Sequence, residues 1–288
     1  MESLKKSRSV LVTGVSTGIG LSVARALTKR GYRVFGSVRS REDADRVSAD
    51  LGPGLIAIVF DVTDPAAIAR ARATVESQLN GEGLAGLVNN SGIGIGGPLQ
   101  HQPLEVFRSH FEVNVFGLLQ VTREFLPLLG ACEAPKSAPG RILNISSVAG
   151  KLAVPFLGGY VASKHAVEGL SQVLRRELLL FGIDVIVIGP GAVNTPIWDK
   201  GNDTSPYAAT PYGKILARFN EYFTAQGKKG FAPDVFGEKI ADILETPKPR
   251  TRYALVPQKF GNWTIPRLLP DRTLDRIIGK GTGLLKRS

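Results

Sequence analysis

Sulfur is almost absent from this chain, and so is any long apolar run. One cysteine and one methionine stand among 288 residues. A single cysteine excludes an intramolecular disulfide framework and suits a reducing compartment. That residue, Cys132, sits in a Pro- and Ala-rich loop with no histidine beside it, so a catalytic thiol is not expected. The three histidines are scattered without metal-ligand spacing, and no metal is expected. No stretch approaches the roughly 20 apolar residues that a spanning helix needs. The basic start, Met1 to Ser9, leads into an apolar run that Thr13 and Gly14 break too soon for a signal peptide. A cytoplasmic location is the resulting expectation.

Lys and Arg outnumber Asp and Glu by 36 to 25, a net charge of +11. The basic residues form no block and no stripe interleaved with aromatics, so a solvated surface is expected and a nucleic-acid partner is not. A phosphate-rich small ligand would also gain from such a field. With 43% hydrophobic and 21% charged residues, the chain has ordinary globular texture and room for a sizeable core.

Short β-branched runs alternate with helical patterns over residues 9 to 195. Strands are expected at Val10 to Thr13, Tyr32 to Val38, Leu55 to Phe60, Gly86 to Val88, Arg141 to Ile145 and Ile183 to Ile188. Helices are expected at Leu21 to Lys29, Pro65 to Gln78, about Pro103 to Leu129 and about Gly158 to Phe181. This order predicts an α/β fold of three layers, a doubly wound parallel sheet of Rossmann type. No linker to a second domain is visible, so residues 1–288 are expected to form one dinucleotide-binding catalytic domain. Within it, about 195–230 is polar and rich in Gly, Pro, Tyr and Phe, more like a mobile lid than core. A helix near Asp234 to Leu244 and a strand near Tyr253 to Val256 would finish the sheet. The extension after 257 mixes Ile265, Leu268, Leu269, Leu274, Ile277 and Ile278 with Arg and Lys. It can pack on the protein or lie on a membrane surface; packing is the favoured alternative.

The first strand runs straight into Thr13-Gly14-Val15-Ser16-Thr17-Gly18-Ile19-Gly20, and a helix follows. Strand, glycine turn and helix N-terminus make a phosphate cradle, because glycines admit the pyrophosphate and the first helical N–H groups face it. The spacing G-x-x-x-G-x-G differs from the G-x-G-x-x-G fingerprint. At the end of the second strand, where a carboxylate would take an adenosine 2′-hydroxyl, stand Val38 and Arg39. An arginine there suits a 2′-phosphate, so NADP(H) is expected ahead of NAD(H), with Ser16 a second phosphate contact. Asp61 can accept from an adenine amino group, and Asn89 can tie strand ends together; either can equally be a loop cap.

Chemistry concentrates in Ser146 to Lys164. Tyr160 and Lys164, at i and i+4, share a helix face, so an ammonium is expected to lower a phenol pKa that is otherwise about 10. Ser147, at the end of a strand, can hold a carbonyl or alcohol oxygen against that phenol. Asn114, among Phe111, Val113, Val115 and Phe116, needs partners if buried.

Taken together, these residues resemble the short-chain dehydrogenase/reductase family. Thr13 to Gly20 is similar to its TGxxxGIG cofactor loop, Asp61-Val62 to its adenine motif, and Asn89 to Gly92 to its NNAG motif with Ser91 for the usual Ala. Pro190-Gly191-Ala192-Val193-Asn194-Thr195 is similar to its PGxVxT segment. Asn114, Ser147, Tyr160 and Lys164 fall where its catalytic tetrad falls. The resemblance implies hydride transfer between a nicotinamide and an alcohol or carbonyl carbon. In it Ser147 holds the oxygen, Tyr160 acts as general acid/base, Lys164 binds the nicotinamide ribose, and Asn114 holds a water that relays protons to the lysine. It implies a homo-dimer or homo-tetramer, and, with the apolar residues near the site and the VRS ending of the second strand, the hydroxysteroid and retinol dehydrogenase branch. A steroid-, retinoid- or lipid-like substrate is therefore expected. A polar or acyl-carrier-linked ketone reductase and a catalytically silent NADPH sensor are the alternatives.

Overall fold

The computed structural model describes residues 8–194 and 203–285. Seven strands, all parallel, form one sheet: β1 (Ser9–Val12), β2 (Arg33–Val38), β3 (Leu55–Val59), β4 (Gly86–Asn89), β5 (Arg141–Ile145), β6 (Asp184–Pro190) and β7 (Arg252–Leu255), in the order β3-β2-β1-β4-β5-β6-β7. Buried parallel strands read as continuous apolar runs because both faces are covered. β1 shows this at single-residue resolution: Val10 and Val12 enter one core and Leu11 the other.

The first core packs against α1 (Gly18–Lys29), α2 (Arg41–Leu51) and, late in the chain, Phe236, Ile240 and Ile243. The second core is closed by α3 (Pro65–Gln78) and by Val121, Phe125 and Leu174 from two long helices. Local chemistry starts these helices. Ser40 Oγ accepts the Asp43 N–H at 3.1 Å, and Asp64 caps α3 from Ala67 with Pro65 at the first turn.

The helix expected over 103 to 129 is not regular. It consists of α4 (Leu104–Phe111), a π-helical turn (Glu112–Gly117), α5 (Leu118–Phe125) and a closing 3₁₀ turn (Leu126–Leu129). Then α6 (Gly158–Glu177) follows β5, and its C-terminal turn to Phe181 is 3₁₀. In the stretch read as a lid, residues 195–202 lie outside the described ones, and α7 (Gly213–Lys228) is a 16-residue helix. After it come α8 (Pro233–Glu245), beside α1, and α9 (Asp271–Thr282). Arg30, capping the C-terminus of α1, holds α8 by Glu238, Asp242 and Glu245 at 2.6, 2.7 and 2.8 Å. Strand order reverses direction between β1 and β4, and the carboxyl ends of the strands there open a crevice.

Candidate active site

That crevice is a cavity of about 1070 Å³. Of the residues singled out by the sequence, Gly14, Ser16, Thr17, Gly18, Ile19, Arg39, Asp61, Val62, Ser91 and Gly92 line it, as do Ser147, Tyr160, Lys164, Pro190, Gly191 and Val193. Thr195 lies outside the described residues. Gly20, Asn89 and Asn114 do not line the cavity and act from behind it.

The phosphate loop is built for close approach. Gly14 and Gly18 have φ of +70° and +63°, a region that glycine enters without steric cost. A side chain at Gly20 would put its Cβ 2.1 Å from the Gly14 carbonyl oxygen, so Gly20 serves the turn itself. Helix α1 begins without a side-chain cap and without an acidic residue in its first turn, leaving N–H groups toward the cavity. Three partners missed from sequence brace this loop. Ser37 Oγ accepts the Gly14 N–H at 2.9 Å, Asn90 Nδ2 donates to the carbonyls of Thr13 and Gly14 at 2.9 and 3.0 Å, and Arg46 donates to Ser16 O at 3.0 Å. Thr13 Oγ1 in turn accepts from the N–H groups of Asn90 and Ser91. Arg39 is exposed at the end of β2.

Asn89 is buried and is a tie between elements, as one reading had it. Its amide donates to Thr122 Oγ1 and to Asn144 Oδ1, both at 2.9 Å. Asp61 accepts from the N–H and hydroxyl of Thr63 at 2.8 and 2.7 Å, a loop cap whose carboxylate still borders the cavity.

Asn114 sits in the π turn, 1% exposed. Its Oδ1 accepts the Ile93 N–H at 2.8 Å, and its Nδ2 donates to Ile93 O and Ser163 Oγ, each at 3.0 Å. The wider π turn aims this side chain at the loop after β4 instead of along the helix. His110, also missed, pins the same loop. Its Nε2 accepts the Ile95 N–H at 2.9 Å, which leaves the proton on Nδ1, donated to Val106 O at 2.7 Å. Burial lowers its pKa, favouring this neutral ring.

At the cavity floor, Ser147 is buried at the end of β5, and its Oγ accepts the Ala149 N–H at 3.1 Å. Tyr160 stands across from it in the first turn of α6, with the Gly94 position against its ring: a Cβ there would lie 3.3 Å away. Lys164 is 5% exposed and donates to Ile145 O at 2.8 Å. The expectation that Lys164 lowers the Tyr160 pKa is corrected here. Burial raises the phenol's pKa, and the nearby Ser147 hydroxyl acts only partly against it. The ammonium lies 5.8 Å from the ring centre, turned to a carbonyl, and burial brings its own pKa down to about 8. A Cβ added at Gly92 would fall 3.1 Å from Asn114 Oδ1 and 3.6 Å from Lys164 Nζ, so these two polar groups border one small gap.

Beneath Ser147 lies an ion pair that neither motif nor spacing announced. Glu168 of α6, 3% exposed, accepts Arg252 Nε with both oxygens at 3.0 Å, while Lys151 stands at 3.7 Å. Arg252 also donates to Ser147 O at 3.3 Å and lies over the Trp263 ring at 4.4 Å.

The outer part of the cavity is apolar. Phe156, in the left-handed region at φ +65° and fixed by the Gly97 N–H on its carbonyl, packs edge-on to Phe219 of α7 at 5.3 Å. Leu274, Ile277 and Ile278 of α9 complete the wall. No group of metal-binding side chains exists among the described residues.

The family model for short chain dehydrogenases matches residues 8–206. A protein of Ornithobacterium rhinotracheale named NADPH-dependent 3-dehydrocapnine reductase is 39% identical over 274 residues, covering 95% of this chain and 96% of that one. Retinol dehydrogenase 16 of Mus musculus is 33% identical over 268 residues, 86% of this chain and 80% of that one. Among solved structures, a short-chain dehydrogenase from Streptomyces avermitilis superposes with a TM-score of 0.76 at 29% identity, covering 98% of this chain and 99% of that one.

Proposed function

This chain belongs to the short-chain dehydrogenase family of oxidoreductases, and from that premise we propose that it uses NADP(H) to interconvert an apolar ketone and its alcohol. The observation that carries the apolar substrate is the cavity wall beyond Ser147 and Tyr160, made of Leu152, Val154, Phe156, Leu216, Phe219 and Ile278. The name of one relative, an NADPH-dependent reductase, supports the cofactor and the reductive direction. The cradle fits a dinucleotide phosphate: glycines where a Cβ would collide, an uncapped helix N-terminus, and Arg39 in place of a carboxylate for a 2′-phosphate.

When bound, NADPH supplies the hydride. Ser147 Oγ holds the carbonyl oxygen, and Tyr160 gives that oxygen its proton as general acid. A phenol whose pKa burial has raised stays protonated at neutral pH, the form that reduction needs. Lys164, cationic below about pH 8, would hold the nicotinamide ribose. Asn114 Oδ1 borders the gap beside Lys164 and would hold there a water that relays protons to the lysine. Helix α7, through Leu216, Phe219 and Phe223 at the cavity wall, covers the substrate, and exposed Phe116, Val173, Leu179 and Leu180 support assembly into a homo-dimer or homo-tetramer.

The test is nicotinamide absorbance with a ketone panel from short polar compounds to steroids and retinal. Bulky apolar substrates should turn over with NADPH, and Tyr160→Phe should bind NADPH but lose turnover by orders of magnitude. Unimpaired Tyr160→Phe would remove that residue from the chemistry. Preference for polar ketones would move the chain to the polar or acyl-carrier-linked reductases. Tight NADPH binding with no turnover at all would favour the sensor.

A further inference from the structure

Exposed apolar side chains of the C-terminal region gather where the cavity opens. Tyr222 and Ile277 both line the cavity and face solvent, at 64% and 54% exposure. Gly261, Asn262 and Pro266 also line it. Beside them stand Phe260 at 73% and Leu268 at 79% exposure, neither of which lines the cavity. The mouth is thus rimmed by large apolar groups left in water.

Charge on the same segment is one-sided. At about 3.6 residues per turn, Arg272, Arg276 and Lys280 of α9 fall in one stripe, all exposed. That stripe borders the flank on which Ile277 is exposed. Asp271 and Asp275 fall on the opposite flank, beside the half-buried Ile278. Lys259 and Arg267 add two exposed cations next to Phe260 and Leu268. An amphipathic helix with cations bordering an exposed apolar edge fits the headgroup layer of an anionic bilayer. Packing, the favoured expectation for this tail, describes only its inner side: Leu274 and Ile278 close the cavity while the outer edge remains bare.

We propose that the mouth of the cavity, formed by Phe260, Leu268, Ile277 and Tyr222 with the Arg272–Arg276–Lys280 stripe, docks on an anionic lipid bilayer. Docked, the cavity opens into the apolar layer, and a lipid-like substrate passes from bilayer to site without crossing water. The delivery step rests on the apolar-substrate reading above; the docking does not.

The experiment is cosedimentation of the full chain with vesicles of phosphatidylcholine alone and of phosphatidylcholine with phosphatidylglycerol. Binding is expected to the anionic vesicles, to weaken as salt screens the stripe, and to fall at least about tenfold for each of Phe260→Glu and Leu268→Glu, from the loss of a buried apolar side chain. Both variants should keep their unfolding midpoint and their NADPH turnover of a water-soluble ketone. Failure to bind anionic vesicles overturns the proposal. So does equal binding by the Phe260→Glu/Leu268→Glu double variant, or self-association that this variant abolishes while wild type ignores vesicles, which would make the patch a contact between copies. Vesicle binding without turnover of any ketone would leave docking standing and remove the substrate reading.

Discussion

Lys164→Met should abolish turnover and yet stabilise the fold, by an amount that depends on pH. Lysine's ordinary pKa of 10.5 drops to about 8 at this site because burial disfavours the ammonium. At about 1.36 kcal/mol per pKa unit this is a cost of about 3 kcal/mol, with little solvent to dilute it at 5% exposure. The folded protein releases the proton near pH 8 and the unfolded chain keeps it to about 10.5, so between those values the unfolded state binds more protons and stability rises with pH. Below pH 8 the whole cost is present. Methionine removes that cost but leaves Ile145 O without its 2.8 Å donor, a loss of about 1–2 kcal/mol. At pH 7 the variant should therefore be more stable by about 1–2 kcal/mol. Urea unfolding at several values from pH 7 to 10 measures both proteins, and titrations common to the two cancel in the difference. The variant's advantage should shrink by about 2–3 kcal/mol across that range and reverse. Parallel pH profiles would refute a strained, buried ammonium.

Two further substitutions probe the cofactor and the ion pair. Arg39→Asp should weaken NADPH far more than NADH in a fluorescence titration, and equal weakening of both would remove Arg39 from a 2′-phosphate site. Among the described residues, Arg252→Ala leaves the Glu168 carboxylate, 3% exposed, with Lys151 at 3.7 Å as its one cationic partner, and should cost about 3–5 kcal/mol in urea unfolding; adding Glu168→Gln should recover part of it, and a loss under about 1 kcal/mol would show that the pair is well solvated.

The sheet and the phosphate loop were legible because their causes are local. An apolar run such as Ile183 to Ile188 fits only a strand covered on both faces, and a glycine turn between strand and helix has few uses. What stayed hidden depends on partners far away in the chain. The π turn at 112–117 exists where Asn114 bonds Ile93 and Ser163, and no helical period contains those partners. Helix α7 was masked by its Gly, Pro and Tyr surroundings, although Leu216, Phe219 and Phe223 keep helical spacing. His110 looked like one of three scattered histidines, because the N–H it accepts belongs to a loop rather than to its own helix. Spacing places Lys164 one turn from Tyr160 correctly but cannot show that the phenol is buried, which raises its pKa, or that the ammonium turns to Ile145 O.

The buried ion pair also changes what the end of the chain is for. Read as sequence, residues after 257 are an appendix to a finished sheet. In the fold, Trp263 is 6% exposed and has the guanidinium carbons of Arg252 and Arg267 over its ring at 4.4 and 4.6 Å. Cation–π contacts strengthen when water is excluded, and this indole covers one face of the guanidinium that pairs with Glu168. Arg252 in turn donates to the carbonyl of Ser147. In the role proposed for Ser147, a hydroxyl holding a carbonyl oxygen in one position needs its backbone fixed, because misplacement by an ångström can cost about a hundredfold in rate. The route from Trp263 through Arg252 to Ser147 therefore makes the C-terminal extension part of the floor of the site, while α9 forms its wall.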